Sequence, residues 1–254
     1  MVSLTVENYL KGILLLGTSR RGPVSTGRIA AALDVAPGTV TAMLKTLEEA
    51  GLVRYRRYGG VQLTKEGETL ALHVQRRHRV VELFLVKVLG MPWTEVHEEA
   101  EALEHAVSEK VLERMDALLG HPTTDPHGDP IPQADGQLPV GPNSALSSAA
   151  AGDALEIVRL VDQRPEFLRL AERLGLEPGS RVEVADRDEA GQILHLQSGG
   201  RQVAVALSAA EKIMVRPSEL TGEGPQVSQP DLPLGRARGR DRGRGGGRGR
   251  GRGR

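Results

Sequence analysis

Residues 76–105 constrain the chain more than any other stretch, because they place histidines and glutamates at helical spacing. His78 and Glu82 stand four residues apart in a helical pattern that runs to Leu89, so the two side chains share one face. After a Gly-Met-Pro break at residues 90–92, a second helical pattern follows. It carries four more residues of this kind within an arc of about 100°: His97, Glu101, Glu104 and His105. The two patterns predict a cluster of imidazole and carboxylate groups.

This cluster has the composition of a metal site. Imidazole nitrogen and carboxylate oxygen, without thiolate, form the ligand set of Mn(II), Fe(II) and Zn(II). Six candidate ligands are more than one tetrahedral or octahedral ion takes from side chains alone, so the pattern favours two neighbouring metal sites. The alternative is that these side chains are solvated on an exposed helix face, which is the usual outcome for an isolated His-x3-Glu pair. The number of residues at matching spacing favours the metal sites.

The composition excludes several classes of protein. Since the 254 residues include no cysteine, disulfides, thiolate metal sites and thiol nucleophiles are excluded. Only one Trp, three Tyr and two Phe are present, so the cores must consist of Leu, Val, Ile and Ala. No apolar run approaches the ~20 residues that span a bilayer, and the N-terminus lacks a signal-peptide pattern. We therefore expect a cytoplasmic protein that has no membrane partner.

Residues 23–53 predict a helix-turn-helix. Two short helical patterns are joined by the turn LDVAPG, and in the second helix Val40, Leu44 and Leu47 take the inward positions. Lys45 and several small polar residues then face outward. The segment VRYRRYGGVQLT predicts two short strands around a Tyr-Gly-Gly turn. Together these parts predict a winged helix-turn-helix.

The basic wing indicates what this module binds. It carries Arg54, Arg56 and Arg57, which suit phosphate contacts, while a recognition helix enters the major groove by its N-terminal end. Some modules of this kind act only as platforms for other proteins. The three arginines favour double-stranded DNA as the partner.

A long helix is predicted from about Lys65, and it carries His78. Its last third, VVELFLVKVL, is apolar at eight of ten positions, and a helix that is apolar nearly all round is buried on more than one side. A domain this small does not bury such a helix alone, so we predict a homodimer. Two recognition helices then address a palindromic operator.

The second half of the chain changes from helical to β patterns. Residues 141–153 are rich in Gly, Ser and Ala and are predicted to be a linker. Beyond them, a short helix opened by Pro165 and several short strands with Gly-rich turns follow. This pattern predicts a small β-barrel over residues 154–220.

The last residues form a separate basic tail. Residues 235–254 contain nine Arg and one Asp, a net charge of +8, and because the whole chain is net neutral the preceding 234 residues carry −8. Glycine and arginine cannot build an apolar core, so residues 221–254 are predicted to be disordered. The charge favours nonspecific contact with nucleic acid, which raises affinity without adding sequence specificity.

The ligand pattern resembles that of the diphtheria-toxin repressor and manganese transport regulator family of metal-dependent transcription factors. In that family a dimerisation domain carries H-x3-E on one helix and H-x3-[C/E]-x2-E-H on the next. Here these patterns begin at His78 and His97, and PHGDPIP at residues 126–132 extends the resemblance, which covers about residues 2–220. The resemblance implies that the C-terminal β domain is SH3-like, as in the diphtheria-type members.

The resemblance also implies ligands outside the two helices. The residue before the Tyr of the first helix supplies a ligand in the family, and here it is Asn8, a neutral amide. Manganese-type members use a Glu three residues later, where this chain has Lys11, which argues against their closely paired dinuclear centre. Longer members add a Glu and a Gln from the SH3-like domain, and the matching positions here are Gln163 and Glu166. The alternative for Glu166 is a first-turn acid that interacts with the helix dipole.

For DNA recognition, the resemblance implies that Pro37, Thr39 and Thr41 face base edges. Ala42 stands where diphtheria-type members have a longer polar residue, so readout is expected to depend on thymine methyls, phosphates and DNA shape. For the metal, Glu101 is the carboxylate of the manganese class where the iron class has Cys. We therefore favour Mn(II), with Fe(II) as the alternative.

We predict a mainly α protein with a small β domain. A winged helix-turn-helix at residues 1–65 precedes a helical dimerisation and metal-binding domain at residues 66–140, followed by the linker, the SH3-like domain and the tail. The predicted function is metal-dependent repression of metal-homeostasis genes, such as those for metal uptake, and not an enzymatic activity. One alternative is a metal-independent architectural nucleic-acid binder. The other is a metalloenzyme of the di-iron carboxylate type, but those bundles need E-x-x-H on two helices, and neither helix here contains it.

Overall fold

The structure is a computed structural model of the chain, and it describes residues 3–18, 22–133, 136–138 and 143–218. The described residues all lie in one compact unit, Met1–Glu219. The basic tail, with its predicted disorder, lies outside the described residues. Among the residues that are described, no helix is both long enough and apolar enough to cross a membrane.

The N-terminal part folds as the predicted winged helix-turn-helix. Its elements are three helices and an antiparallel hairpin: α1 (Leu4–Thr18), α2 (Thr26–Ala32), α3 (Pro37–Glu49), β1 (Val53–Arg56) and β2 (Gly60–Leu63). The helix α2 begins after Ser25, whose hydroxyl accepts a hydrogen bond from the backbone N–H of Arg28. Val40, Leu44 and Leu47 of α3 are buried, which confirms their predicted inward positions.

The wing lies close to the start of α2. A backbone bridge pairs Val24 with Val61 of β2. A Cβ atom at Gly60, where φ is +88°, would lie 2.8 Å from the carbonyl oxygen of Val24, so this close approach requires glycine. At the tip of the hairpin, Tyr58 has a φ of +63°, and 93% of its surface is exposed. The turn therefore presents a large aromatic ring to solvent from a backbone conformation that favours glycine.

Three helices form the helical domain: α4 (Lys65–Lys87), α5 (Val96–Glu104) and α6 (Glu109–Leu118). Thr64 caps α4, since its hydroxyl accepts a hydrogen bond from the backbone N–H of residue 67. The apolar end of α4 is buried on two sides within the chain. Val80 lies in one apolar cluster with Leu112 of α6, and Val81 lies in another with Val96 of α5. The two flanking helices thus explain why this part of α4 is apolar nearly all round.

The C-terminal domain contains six strands and two helices: β3 (Ser144–Ala145), β4 (Ala154–Leu160), α7 (Pro165–Leu174), β5 (Arg181–Asp188), β6 (Ile193–Ser198), β7 (Arg201–Ala206), α8 (Leu207–Ala210) and β8 (Ile213–Pro217). The strands form one antiparallel sheet in the order β3-β8-β4-β5-β6-β7. β3 and the 3-10 helix Leu146–Ser148 lie in the segment that the sequence predicts as a linker. A strand of two residues is too short to show an alternating pattern in the sequence.

A close backbone contact joins the helical domain to the sheet. Gly128 has a φ of +85°, and a Cβ atom there would lie 1.9 Å from the carbonyl oxygen of Val158 in β4. Next to it, the backbone N–H of Leu160 donates a 2.9 Å hydrogen bond to the carbonyl of His127. The loop that contains PHGDPIP, residues 126–132, therefore lies directly against β4.

Candidate metal centre

His78 occupies the middle of the predicted ligand cluster, on the buried face of α4. Its Nδ1 lies 2.6 Å from Glu104 Oε2, and its Nε2 lies 3.0 Å from Glu82 Oε1. The same Nε2 lies 3.2 Å from Nδ1 of His97, which is itself 3.0 Å from Glu82 Oε1. His78, Glu82 and Glu104 are at most 4% exposed. The helical spacing therefore brings these four side chains together, as the sequence predicts.

The charged neighbours of His78 control its protonation. Burial alone lowers the pKa of an imidazole, but hydrogen bonds to Glu104 and Glu82 outweigh it and raise the pKa of His78 to about 9. Burial raises the pKa of a carboxyl group, but the hydrogen bonds and charge interactions with His78 outweigh it and lower the pKa of both Glu82 and Glu104. At neutral pH the cluster therefore contains an imidazolium between two carboxylates. Coordination of a metal through His78 requires the loss of that proton.

The second part of the cluster lies between α1 and the C-terminal end of α5. Nδ1 of His105, the C-cap residue of α5, lies 2.7 Å from Glu7 Oε2. The other ring nitrogen, Nε2, is 3.2 Å from Glu104 Oε1 but outside hydrogen-bond geometry. Asn8 Oδ1 is also buried, and nothing in the described part of the chain donates a hydrogen bond to it. The N-terminal helix thus contributes the Glu7 carboxylate to the cluster.

Three groups of side chains, among the described residues, bring potential ligand atoms within 4.8 Å of one another. Two consist of sequence-predicted ligands: His78, His97 and Glu101 in the first, and Glu101, Glu104 and His105 in the second. The third group combines the predicted ligand Glu82 with Asp125 and His127. These last two residues were not predicted as ligands, although they lie in or beside the PHGDPIP segment that supported the family resemblance.

The third group is deeply buried. Asp125 Oδ1 accepts hydrogen bonds from the backbone N–H groups of His127 and Asp129, while Oδ2 accepts none and lies 3.5 Å from Nε of Arg79. Burial, with the neighbouring carboxylates of Asp129 and Glu82, raises the pKa of Asp125 well above its usual range. Nδ1 of His127 is buried and has no hydrogen-bond partner within the described ranges. One oxygen of Asp125 and one ring nitrogen of His127 therefore make no hydrogen bond among the described residues.

A cleft of about 310 Å³ opens beside these groups, and the SH3-like domain contributes to its wall. Gln163 lines the cleft and donates its side-chain amide to Asp129. Glu166 is exposed in the first turn of α7 and is not part of the wall. The structure thus brings Gln163 to the cleft and leaves Glu166 outside it, and the ligand role of each stays a prediction.

The predicted DNA-binding residues lie on the surface of α3 and the wing. Thr41 is partly buried, and its hydroxyl donates a 3.0 Å hydrogen bond to the carbonyl of Pro37. The guanidinium of Arg57 lies 5.2 Å from the ring centroid of Tyr58, a cation–π arrangement at the tip of the wing. The other predicted contacts are exposed: Pro37, Thr39, Lys45, Arg54, Arg56 and Arg57.

Three stretches of the chain match the models of known domain families. Residues 1–61 match the N-terminal DNA binding domain of iron dependent repressors, and residues 64–133 match their metal binding and dimerisation domain. The chain belongs to the iron-dependent repressor family. Residues 145–217 match the FeoA domain, which corresponds to the C-terminal sheet.

Members of the iron-dependent repressor family align over most of this chain. The iron-dependent repressor IdeR of Mycobacterium leprae is 33% identical over 224 residues, covering 83% of this chain and 96% of that protein. The IdeR of Mycobacterium tuberculosis is 37% identical over 193 residues, covering 71% and 83%. A solved structure of a manganese-dependent transcriptional repressor in complex with manganese is 39% identical, covers 84% of this chain and 100% of its own, and has a TM-score of 0.74. Iron and manganese are thus both represented among the relatives.

The donor atoms of this family member fit a divalent metal ion. Seven buried atoms with lone pairs make no hydrogen bond within the described residues, and four of them belong to the predicted ligands or to the third group: Asn8 Oδ1, His105 Nε2, Asp125 Oδ2 and His127 Nδ1. Buried polar atoms are normally paired, and metal ions bound at the separate groups would supply the missing partners. The four atoms are all nitrogen or oxygen, as are the donors of the neighbouring glutamates. Such a set suits both Mn(II) and Fe(II).

Proposed function

We propose that this member of the iron-dependent repressor family is a homodimeric transcriptional repressor activated by Mn(II), with Fe(II) as the alternative metal. It acts in the cytoplasm, binds a palindromic operator and represses genes of metal homeostasis, such as those for metal uptake. The observation that carries the proposal is the meeting of the ligand cluster with the DNA-binding domain, where Glu7 Oε2 of α1 lies 2.7 Å from His105 Nδ1 of α5.

The cluster is placed so that its state can affect DNA binding. The helix α1 shares an apolar core with the recognition helix, in which Leu10 and Leu44 are both fully buried. A shift of α1 relative to α5 therefore moves the DNA-binding domain relative to the dimerisation domain. A metal ion changes the equilibrium between two arrangements of these domains only if it binds one arrangement more tightly than the other. The ligands that stabilise the metal-bound arrangement must therefore include residues from both domains.

The residues proposed to hold the metal fall into two sites. One consists of Asn8, Glu101, Glu104 and His105; the other consists of His78, Glu82 and His97, with Gln163 and Glu166 from the sheet domain. When bound, a divalent ion supplies positive charge that offsets the buried carboxylates. Because the chain has no thiolate, the donors are the oxygen and nitrogen atoms that suit metals low in the Irving-Williams order, which supports Mn(II).

Exposed apolar residues of the helical domain support the homodimer. The side chains of Leu89, Leu103, Val111 and Leu118 are 40% to 61% exposed in the single chain. Large apolar side chains grouped on one domain are typical of a surface that another copy covers. Two copies present two recognition helices, which supports a palindromic operator. The exposed wing arginines are proposed to lie on phosphates.

Removal of single ligands tests the assignment. We expect Glu104→Ala and His105→Ala to abolish the increase in operator affinity that Mn(II) gives the wild type, an increase of roughly 5- to 150-fold for ordinary allosteric coupling. Glu99→Ala, on an exposed position of the same helix α5, is the matched control and should respond as the wild type does. Operator affinity is measured by fluorescence anisotropy, and the dimer by light scattering.

Both ligand variants should stay dimeric, since neither residue is among the exposed apolar side chains. Glu104 is fully buried, so His105→Ala decides the question if Glu104→Ala does not fold. A wild-type response to Mn(II) in the His105 variant would show that the ligand assignment is wrong.

A metal-independent architectural nucleic-acid binder is the second candidate, because the tail carries +8. In our proposal the tail instead adds nonspecific contact with nucleic acid to a metal-dependent repressor. The two candidates differ in a chelator titration, since an architectural binder keeps its DNA affinity when divalent metal is removed. The relatives described above are repressors, which gives no support to the metalloenzyme alternative.

A further inference from the structure

Lys11 places its ammonium group inside the second ligand group. Nζ lies 2.6 Å from Glu101 Oε1 and 2.8 Å from Glu104 Oε1. Only 7% of the Lys11 surface is exposed, and Glu104 is fully buried. Both carboxylates belong to the group whose potential ligand atoms lie within 4.8 Å of one another, the third member being His105. The ammonium therefore stands where the two carboxylates would share a cation.

The buried carboxylate of Glu104 requires a positive charge beside it. An ionised carboxylate that is removed from water without a partner is strongly destabilised, so Glu104 must be paired with a cation or a proton. Two cations cannot share the same small volume without strong repulsion. While Lys11 holds both Glu101 and Glu104, a metal ion is excluded from the position between them.

The ammonium does not occupy the whole second group. His105 Nε2, in the second group, and Asn8 Oδ1 of α1 are buried atoms that make no hydrogen bond among the described residues. The Lys11 ammonium donates its hydrogen bonds to Glu101 and Glu104 and to neither of these two atoms. His105 Nε2 therefore stays available to a metal ion while Lys11 holds Glu101 and Glu104.

We propose that Lys11 is a resident cation that takes the place of one metal ion in the second group, so that this group binds a single ion. This inference rests on the proposed function, because it concerns how many ions the same cluster takes. The Lys11 contacts span 90 and 93 residues of sequence and join α1 of the DNA-binding domain to α5 of the dimerisation domain. Lys11 therefore also holds α1 against α5 in protein that contains no metal.

The first test counts bound ions in the full-length protein. Lys11→Met keeps the length of the side chain, removes its charge and supplies no ligand that Mn(II) prefers. The number of Mn(II) ions per chain is measured by isothermal titration calorimetry and by elemental analysis after dialysis. We expect Lys11→Met to bind one ion more than the wild type. The matched control is Lys110→Met, which changes an exposed lysine of α6 and should bind the wild-type number.

A second variant keeps this test decisive if Lys11→Met does not fold. Lys11→Arg retains a positive charge and should bind the same number of ions as the wild type. An additional ion in Lys11→Arg, or the wild-type number in a folded Lys11→Met, would overturn the proposal.

The second test measures whether Lys11 holds α1 against α5 in protein without metal. Hydrogen exchange of the backbone amides is followed in the presence of a chelator. The backbone amides of α1 should exchange roughly tenfold faster, or more, in Lys11→Met than in the wild type, because a buried charge pair has lost one partner. Amides of the paired strands β5 and β6 serve as the internal reference and should not change. If the amides of α1 exchange at the same rate in both proteins, the proposal that Lys11 holds α1 against α5 is wrong.

The two tests separate this inference from the proposed function. If wild-type protein binds no Mn(II), the proposed function fails, while the exchange of α1 still decides whether Lys11 joins the two domains. If the wild type binds Mn(II) and responds to it but Lys11→Met binds no additional ion, only the role of Lys11 is refuted.

Discussion

His78 is the residue at which protonation and metal binding compete. Its pKa of about 9 means that the ring is protonated at neutral pH, and a metal ligand must be a neutral imidazole. Binding of Mn(II) at about pH 7 should therefore release at least one proton per chain. Because the folded pKa is raised, the apparent affinity for Mn(II) should rise with pH up to about 9, by as much as roughly tenfold per pH unit.

Calorimetry in buffers of different ionisation enthalpy measures this proton release. His73→Ala is the control, since His73 is an exposed histidine of the same helix α4 that belongs to none of the three ligand groups. It should release as many protons as the wild type. The same binding enthalpy in every buffer would show that His78 is not a ligand, or that it is already neutral.

At the scale of single residues, spacing along a helix predicted part of the cluster and could not predict the rest. His78 and Glu82 come together because a helical repeat fixes their separation. Asp125 and His127 reach Glu82 from a loop that has no periodicity, so no pattern in the sequence connects them. The family resemblance implies that Lys11 stands where manganese-type members have a glutamate. Its contacts with two carboxylates depend on how α1 packs against α5, which no local pattern determines.

At the scale of secondary-structure elements, the loop at residues 126–132 connects the third ligand group to the sheet. Gly128→Ala should destabilise this connection for two reasons. The residue has a φ of +85°, and a Cβ atom would lie 1.9 Å from the carbonyl oxygen of Val158. The unfavourable backbone conformation alone costs about 1–2 kcal/mol, and the displacement of β4 adds to it.

Gly152→Ala separates these two contributions. Gly152 has a φ of +90°, but a Cβ atom there would have no neighbour within 4 Å, so the substitution introduces backbone strain without a clash. We expect a fall in Tm of roughly 2–8 °C for Gly152→Ala and a clearly larger fall for Gly128→Ala, measured by differential scanning calorimetry. Equal falls in Tm would mean that the loop does not lie against β4 as described.

The elements themselves were largely predictable, because each depends on local pattern. Alternating and helical periodicities predicted the winged helix-turn-helix, α4 and α5. The apolar end of α4 does not by itself require a homodimer, since Val80 and Val81 are buried by α6 and α5 of the same chain. Family membership and the exposed leucines of the helical domain now support the dimer. The short strand β3 escaped prediction because two residues cannot display a repeat.

At the scale of the whole molecule, charge is divided between the body and the tail. Deletion of residues 235–254 removes +8 and leaves a chain of net charge −8. The truncated protein should bind all DNA sequences more weakly and show a shallower dependence of log affinity on log salt, because fewer phosphates are neutralised. The ratio of affinities for operator and random DNA should change little, since base edges are read by fixed contacts in the grooves.

A salt series on operator and scrambled duplexes, with full-length and truncated protein, measures these effects. The response to Mn(II) should survive the deletion, because every proposed ligand precedes residue 167. An unchanged salt dependence would mean that the tail does not contact DNA, and RNA or another acidic partner would then be the better hypothesis.

The central claim is that metal bound at the cluster controls DNA binding, and one measurement tests it most directly. Full-length protein is titrated onto a palindromic promoter duplex by fluorescence anisotropy, first with Mn(II) and then with a chelator that removes it. We predict tight binding with Mn(II) and a loss of affinity of roughly 5- to 150-fold with the chelator, reversed when Mn(II) is restored in excess. Equal affinity under both conditions would contradict the account.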